Sequence, residues 1–151
     1  MTSNKEKVSS KEVGLEIGLV ISRFLYKTEH LHYGFWPDDL EIIAENVQEA
    51  QDLHSKLIID AIPDNVETIL DVGSGSGGLA EKLINKGYTV HCVSPSEYLA
   101  DAIEEKLGSK VKIYRSTCQH LQLEQQYDLV IFSESFQYVQ AVSYTHLRAH
   151  D

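Results

Sequence analysis

Cysteine, positive charge and long apolar runs are all scarce in this chain of 151 residues. The two cysteines, Cys92 and Cys118, stand far apart and without a metal-ligand spacing. A disulfide framework is therefore excluded, and the apolar segments around both predict buried free thiols in a reducing compartment. Lys and Arg total 13 against 23 Asp and Glu, a formal net charge of -10. The few basic residues are scattered, which argues against a nucleic-acid backbone as the substrate. The longest apolar run, residues 13–25, contains Glu16 and Arg23. It is too short and too charged to span a membrane. The opening MTSNKEKVSSKE is polar, with no signal-peptide core. The expected location is the cytoplasm. No internal repeat occurs, and the length suits one domain that buries roughly 70% of its unfolded surface.

The chain is rich in one kind of punctuation. Thr68-Ile69-Leu70-Asp71-Val72 is a short apolar run that leads into Gly73-Ser74-Gly75-Ser76-Gly77-Gly78. Leu79, Ala80, Leu83 and Ile84 then recur at helical intervals. That order predicts a buried strand, a tight loop and a helix. Glycines allow the sharp turn and leave bare peptide for a ligand to lie against. The first turns of the helix aim free N–H groups at the same place. Two patterns are satisfied at once. Gly73, Gly75 and Gly78 fit the dinucleotide spacing G-x-G-x-x-G, a weak signal alone. Asp71, Gly73, Gly75 and Gly77 fit an acidic-x-G-x-G-x-G spacing.

Around this centre the remaining elements fall in order. Residues 1–8 are expected to be disordered. Ser9 and Glu12 have a capping-box spacing, and Val13, Ile17, Val20, Ile21 and Phe24 form one helical stripe that fades near Tyr26. The segment His30-Leu31-His32-Tyr33-Gly34-Phe35-Trp36-Pro37 is aromatic and holds the only Trp. It predicts a hydrophobic plug or a pocket wall. His30 and His32 suggest a metal pair, but no third ligand is evident in the sequence, and no metal is expected. Asp38 and Glu41 predict a second helix start, with Leu40, Ile43, Val47, Ala50, Leu57 and Ala61 on the packed face and Gln48, Glu49, Gln51 and Asp52 in water. Pro63 ends it.

Later strands are expected at 88–93, 111–114 and 127–132, after the first at 66–72. Gly87 closes the helix that follows the glycine loop. Ser94, Pro95 and Glu97 read as N-cap, first helical residue and closing acid of another helix. Cys92 and His91 lie on the second strand. Strands alternating with helices predict an α/β fold with a parallel sheet and helices on both faces.

The segment ILDVGSGSGG resembles the first motif of class I S-adenosylmethionine (AdoMet) methyltransferases, and HYGFW resembles a segment ahead of that motif in many small-molecule members. The resemblance spans about residues 31–139. It implies a Rossmann-like methyltransferase fold with N-terminal helices, of which this chain holds about four of seven strands. It implies AdoMet as cofactor and a small-molecule methyl acceptor. Carried over residue by residue, the cofactor neighbours are Tyr33, Asp71, Gly73, Ser74, Gly75, Gly77 and Ser94. Cys118 and Gln119 match the adenine segment, and Ser133 stands at the end of the fourth strand. Phe136, Gln137 and Tyr138 would lie near the transferred methyl group, and Glu134 and Tyr138 are the candidates for a general base. The chain departs from the family at Ser94, where many members keep an acid, and at Gln137, where fatty-acid cyclopropanators carry a Glu.

The ending SYTHLRAH resembles a translated sequencing-adapter read-through. Residues 141–151 are thus expected to be a foreign tail on residues 9–140, the N-terminal part of a methyltransferase domain, and this chain is expected to lack turnover. An NAD(P)-dependent oxidoreductase and a non-catalytic nucleotide-binding fragment are the alternatives. The methyl acceptor and the oligomeric state are not legible.

Overall fold

Four short strands lie side by side in the order β3-β2-β1-β4, all parallel. A computed structural model describes residues 9–139 of the chain. The expected disordered N-terminus and foreign tail lie outside the described residues. The strands are β1 (Thr68–Val72), β2 (Thr89–Val93), β3 (Lys112–Tyr114) and β4 (Leu129–Ile131). All four are shorter than the spans expected from the sequence. The helices are α1 (Ser10–Ile21), α2 (Val47–Asp60), α3 (Gly78–Asn85) and α4 (Glu97–Leu107). This is an α/β, Rossmann-like arrangement.

Alternation along the strands divides the sheet into two faces. On one, Ile69, Val90, Cys92 and Ile131 pack with Leu79, Ala80 and Leu83 of α3 and Ile103 and Leu107 of α4, with Ile58 and Ile59 of α2 at the margin. On the other, Leu70, Val72 and Val93 are covered by Tyr114, Cys118, Leu121, Tyr127 and Phe132. Helices were expected on both faces; the helices that supply this core all pack on one, and the connection after β3 covers the other. Cys92 is fully buried and Cys118 partly so, both as free thiols. Among the described residues no helix is long and apolar enough to cross a membrane.

Three local readings are corrected. The chain after Pro37 does not enter a helix at Asp38: it passes through turns, with Ile42 80% exposed, and α2 starts only at Val47. Gln51, expected in water, is buried and donates from Nε2 to the backbone oxygen of His32 at 2.6 Å and, more weakly, of His30. The cap of α4 is Ser96, not Ser94: its Oγ accepts from Leu99 N at 3.2 Å. Glu97 closes no box and instead binds Arg115. The acid that completes this helix start is Glu12, from α1, which accepts from Ser96 Oγ at 2.5 Å and Tyr98 N at 3.2 Å. Glu12 therefore does not cap its own helix, and Ser9 makes no side-chain cap bond. Negative charge at a helix N-terminus is favourable whichever element supplies it.

Candidate functional site

The carboxyl ends of β1, β2 and β4 open onto a cavity of about 680 Å³. Open parallel sheets bind ligands at this edge, and the volume lies in the range of small-molecule sites. Its floor is the loop after β1. Gly73, Gly75 and Gly77 all have positive φ, at 79°, 56° and 82°. Gly73 and Gly75 line the cavity with Ser74, Ser76 and Gly78. Gly77 does not: a Cβ there would lie 3.2 Å from Ile103, so its lack of a side chain lets the loop approach α4.

Asp71 ends the floor. It is 1% exposed and faces the cavity, yet neither carboxylate oxygen has a hydrogen-bond partner. The Ser74 hydroxyl is spent on the Asp71 backbone oxygen at 2.7 Å. Burial pushes the carboxyl up to about 7. An orphaned buried acid is costly and demands a donor or a cation. Its own loop N–H groups do not satisfy it.

One wall comes from the segment before α2. His30, His32 and Tyr33 line the cavity, and Tyr33 is 86% exposed. Gly34 lets this segment lie on α2: at φ 84° a Cβ would sit 2.8 Å from the Ala50 backbone, and Phe35 N donates to Ala50 O at 2.8 Å. The His30 ring packs on Gly78, where a Cβ would come within 2.8 Å of Nδ1. Burial lowers His30 to about 4 and His32 to about 3, so both imidazoles are neutral at neutral pH.

The other walls are Ser94 and Ser96 after β2, and Ser133, Glu134, Ser135, Gln137 and Tyr138 after β4. Ser94 is buried and donates to Ser96 O at 3.1 Å. Glu134 has φ 55°, unusual for a residue with a side chain. Of the residues singled out in the sequence, Tyr33, Asp71, Gly73, Ser74, Gly75, Ser94, Ser133, Glu134 and Tyr138 meet at this cavity. Cys118 and Gln119 do not line it; they form a 3₁₀ turn, with Cys118 packed beneath Leu70 and Val72. Phe136 is turned edge-on to Phe132 instead of into the cavity. Lys11 and Leu15 of α1 and Leu99 of α4 also line it. Lys11 and Leu15 lie off the apolar stripe of their helix, and nothing in the sequence there marks a ligand.

Comparison with known proteins agrees with this geometry. Residues 69–149 match a family model described as "Methyltransferase domain". An uncharacterized methyltransferase of Geobacillus sp. (strain WCH70) is 44% identical over 45 residues, which is 30% of this chain and 21% of that protein. Among solved structures, a putative S-adenosyl-L-methionine-dependent methyltransferase from Methanococcus maripaludis superposes with TM-score 0.62 at 17% identity, covering 97% of this chain and 61% of that one. A putative sarcosine dimethylglycine methyltransferase from Galdieria sulphuraria gives 0.59 at 19%, covering 76% and 47%. The chain thus matches less than two thirds of the length of each.

Proposed function

We propose, for a chain that belongs to the methyltransferase-domain family, that its cavity binds AdoMet and presents the methyl group to a small-molecule acceptor. The observation that carries this is Asp71, a buried acid with no partner, beside Gly75, where the space over the backbone is open. The residues fit the cofactor. An ammonium group meets the need of Asp71 for a cation, and the open space at Gly75 leaves room for a nucleoside. Tyr33, Ser74, Ser94 and Ser133 supply hydroxyls around the same space. AdoMet, when bound, supplies a methyl group already activated by a sulfonium. The chain's task is then to hold and orient, which accounts for much of the rate in such displacements.

Glu134 and Tyr138 stand at the mouth and are the groups able to take a proton from a protonated acceptor. The Galdieria relative's name mentions sarcosine and dimethylglycine, which supports a small, amine-bearing acceptor class here. The acidic composition and scattered basic residues support a substrate other than nucleic acid. The two free thiols support a reducing, cytoplasmic setting.

The dinucleotide reading fares worse. At the end of β2, where an acid would hold ribose hydroxyls, stands Ser94, and nearby Glu97 is turned to Arg115. Equilibrium binding of AdoMet and of NAD to the 151-residue chain discriminates the two. Saturable AdoMet binding without NAD binding supports the proposal, and the reverse overturns it.

A further inference from the structure

Beside the cofactor floor is a group of side chains that the proposed methyl transfer does not require. His32 comes from the segment before α2, His54 from the middle of α2, and Glu134 from the loop after β4. One nitrogen of each imidazole and a Glu134 carboxylate oxygen lie within 4.8 Å of one another. The two rings are 4.5 Å apart, and His54 Nε2 is 3.7 Å from Glu134 Oε1. The sequence showed His30 and His32 but not the third ligand, because His54 and Glu134 are distant in the chain.

Three observations set the cluster apart from incidental packing. The Nδ1 atoms of both His32 and His54 are buried and lack any hydrogen-bond partner. Buried polar atoms are normally satisfied, so each ring keeps an unmet need at a nitrogen, and His54 turns its other nitrogen, Nε2, to Glu134. The positions are also fixed from behind. Gln51, one turn before His54 on α2, donates to the His32 backbone oxygen, and the Gly34 backbone rests on Ala50 of the same helix. Glu134, finally, adopts the left-handed region at φ 55°. Such strain costs on the order of 1 kcal/mol or more and persists at functional positions.

We propose that His32, His54 and Glu134 form a binding site for a divalent transition cation of the zinc type, with a fourth position open to the cavity. The donor set, two imidazoles and one carboxylate, is that of catalytic zinc sites, which keep one position for water or substrate. Bonds of about 2.0–2.2 Å place tetrahedral ligand atoms ~3.4 Å apart. The cluster reaches that by side-chain rotation of Glu134, whose side chain is 34% exposed. His32 and Glu134 both line the cavity that holds Asp71. The open position therefore faces the space for the acceptor, and takes a hydroxyl, thiol or amine of a small molecule. Glu134 then acts as a ligand instead of a free base. The site stands independently of AdoMet binding.

The test is a zinc titration of the untagged 151-residue chain by competition with a chromogenic chelator, alongside its thermal unfolding. One equivalent of zinc should bind and raise the unfolding temperature. Binding should weaken about tenfold or more in His54→Ala and in Glu134→Gln. It should be unchanged in His120→Ala, a histidine in the exposed turn after β3. Should His54→Ala fail to fold, Glu134→Gln at the surface decides. The absence of stoichiometric binding, equal loss in His120→Ala, or full retention in Glu134→Gln overturns the proposal.

Discussion

Gly73 and Ser135 touch so closely that no side chain fits between them. A Cβ on Gly73 would lie 2.9 Å from Ser135 Oγ and closer still to its Cβ. The Ser135 hydroxyl in turn donates to the Val72 backbone oxygen. The loop after β4 is thereby locked onto the loop after β1, and two walls of the cavity become one unit.

This contact separates two glycines that look equivalent in the sequence. Gly73→Ala meets both a positive φ and Ser135, and should cost about 2–4 kcal/mol. Gly75→Ala has open space around its Cβ and should cost only the left-handed penalty, about 1–2 kcal/mol. Urea unfolding of the two variants checks the order. Equal losses would mean that Ser135 does not press on Gly73.

Asp71 makes the free protein sensitive to pH. Its carboxyl is raised to about 7 in the folded chain from an ordinary 3.8. A raised carboxyl binds more protons folded than unfolded. Its contribution to stability therefore falls as pH climbs from about 4 to about 7, by about 4 kcal/mol at most. Asp71→Asn should flatten this decline and melt higher than the parent at pH 8. A variant that melts lower at pH 8 would show that the acid is already satisfied.

The start of α4 gives a third comparison. Glu12→Ala removes a charged acceptor from Ser96 Oγ and Tyr98 N, and should cost about 1.5–3 kcal/mol. Glu97→Ala removes a surface ion pair to Arg115, and should stay within about 1 kcal/mol. The sequence expectation, with Glu97 as the capping acid, gives the opposite order in chemical denaturation.

Gln51→Ala should loosen the wall that carries Tyr33. Its Nε2 satisfies the carbonyls of His30 and His32, and leaving them unpaired costs about 1–3 kcal/mol. Trp36, the only tryptophan, reports the change, because its Nε1 donates to Tyr33 O within the same segment. Its emission should shift to longer wavelength while far-UV dichroism holds. An unchanged spectrum would show that Gly34 and Phe35 alone anchor the segment.

What was legible in the sequence was local. The apolar run into Gly73 and Gly75 gave the strand, the loop and the cavity floor, since glycine spacing encodes backbone shape directly. Gly87, at φ 101°, closes α3 as its position implied. The misread residues have partners remote in the chain. Glu12 looks like a local cap until Ser96 arrives from 84 residues away. Gln51 reads as solvated because its polar side chain gives no hint of two carbonyls from the preceding loop. Cys118 matched the adenine segment by order along the chain; it packs against Leu70 and Val72 and is not among the residues that line the cavity. Periodicity also placed a helix at Asp38, where the segment instead follows the bend set by Gly34 against α2.

The most direct measurement is calorimetric titration of AdoMet into the 151-residue chain, its Gly75→Val variant and its Asp71→Asn variant, with NAD as control ligand. Valine at φ 56° would distort the floor, and asparagine would remove the charge that an ammonium needs. The account predicts saturable binding of AdoMet to the parent, none of NAD, and binding weakened at least tenfold in both variants. NAD binding in place of AdoMet, or AdoMet binding indifferent to both substitutions, would contradict it.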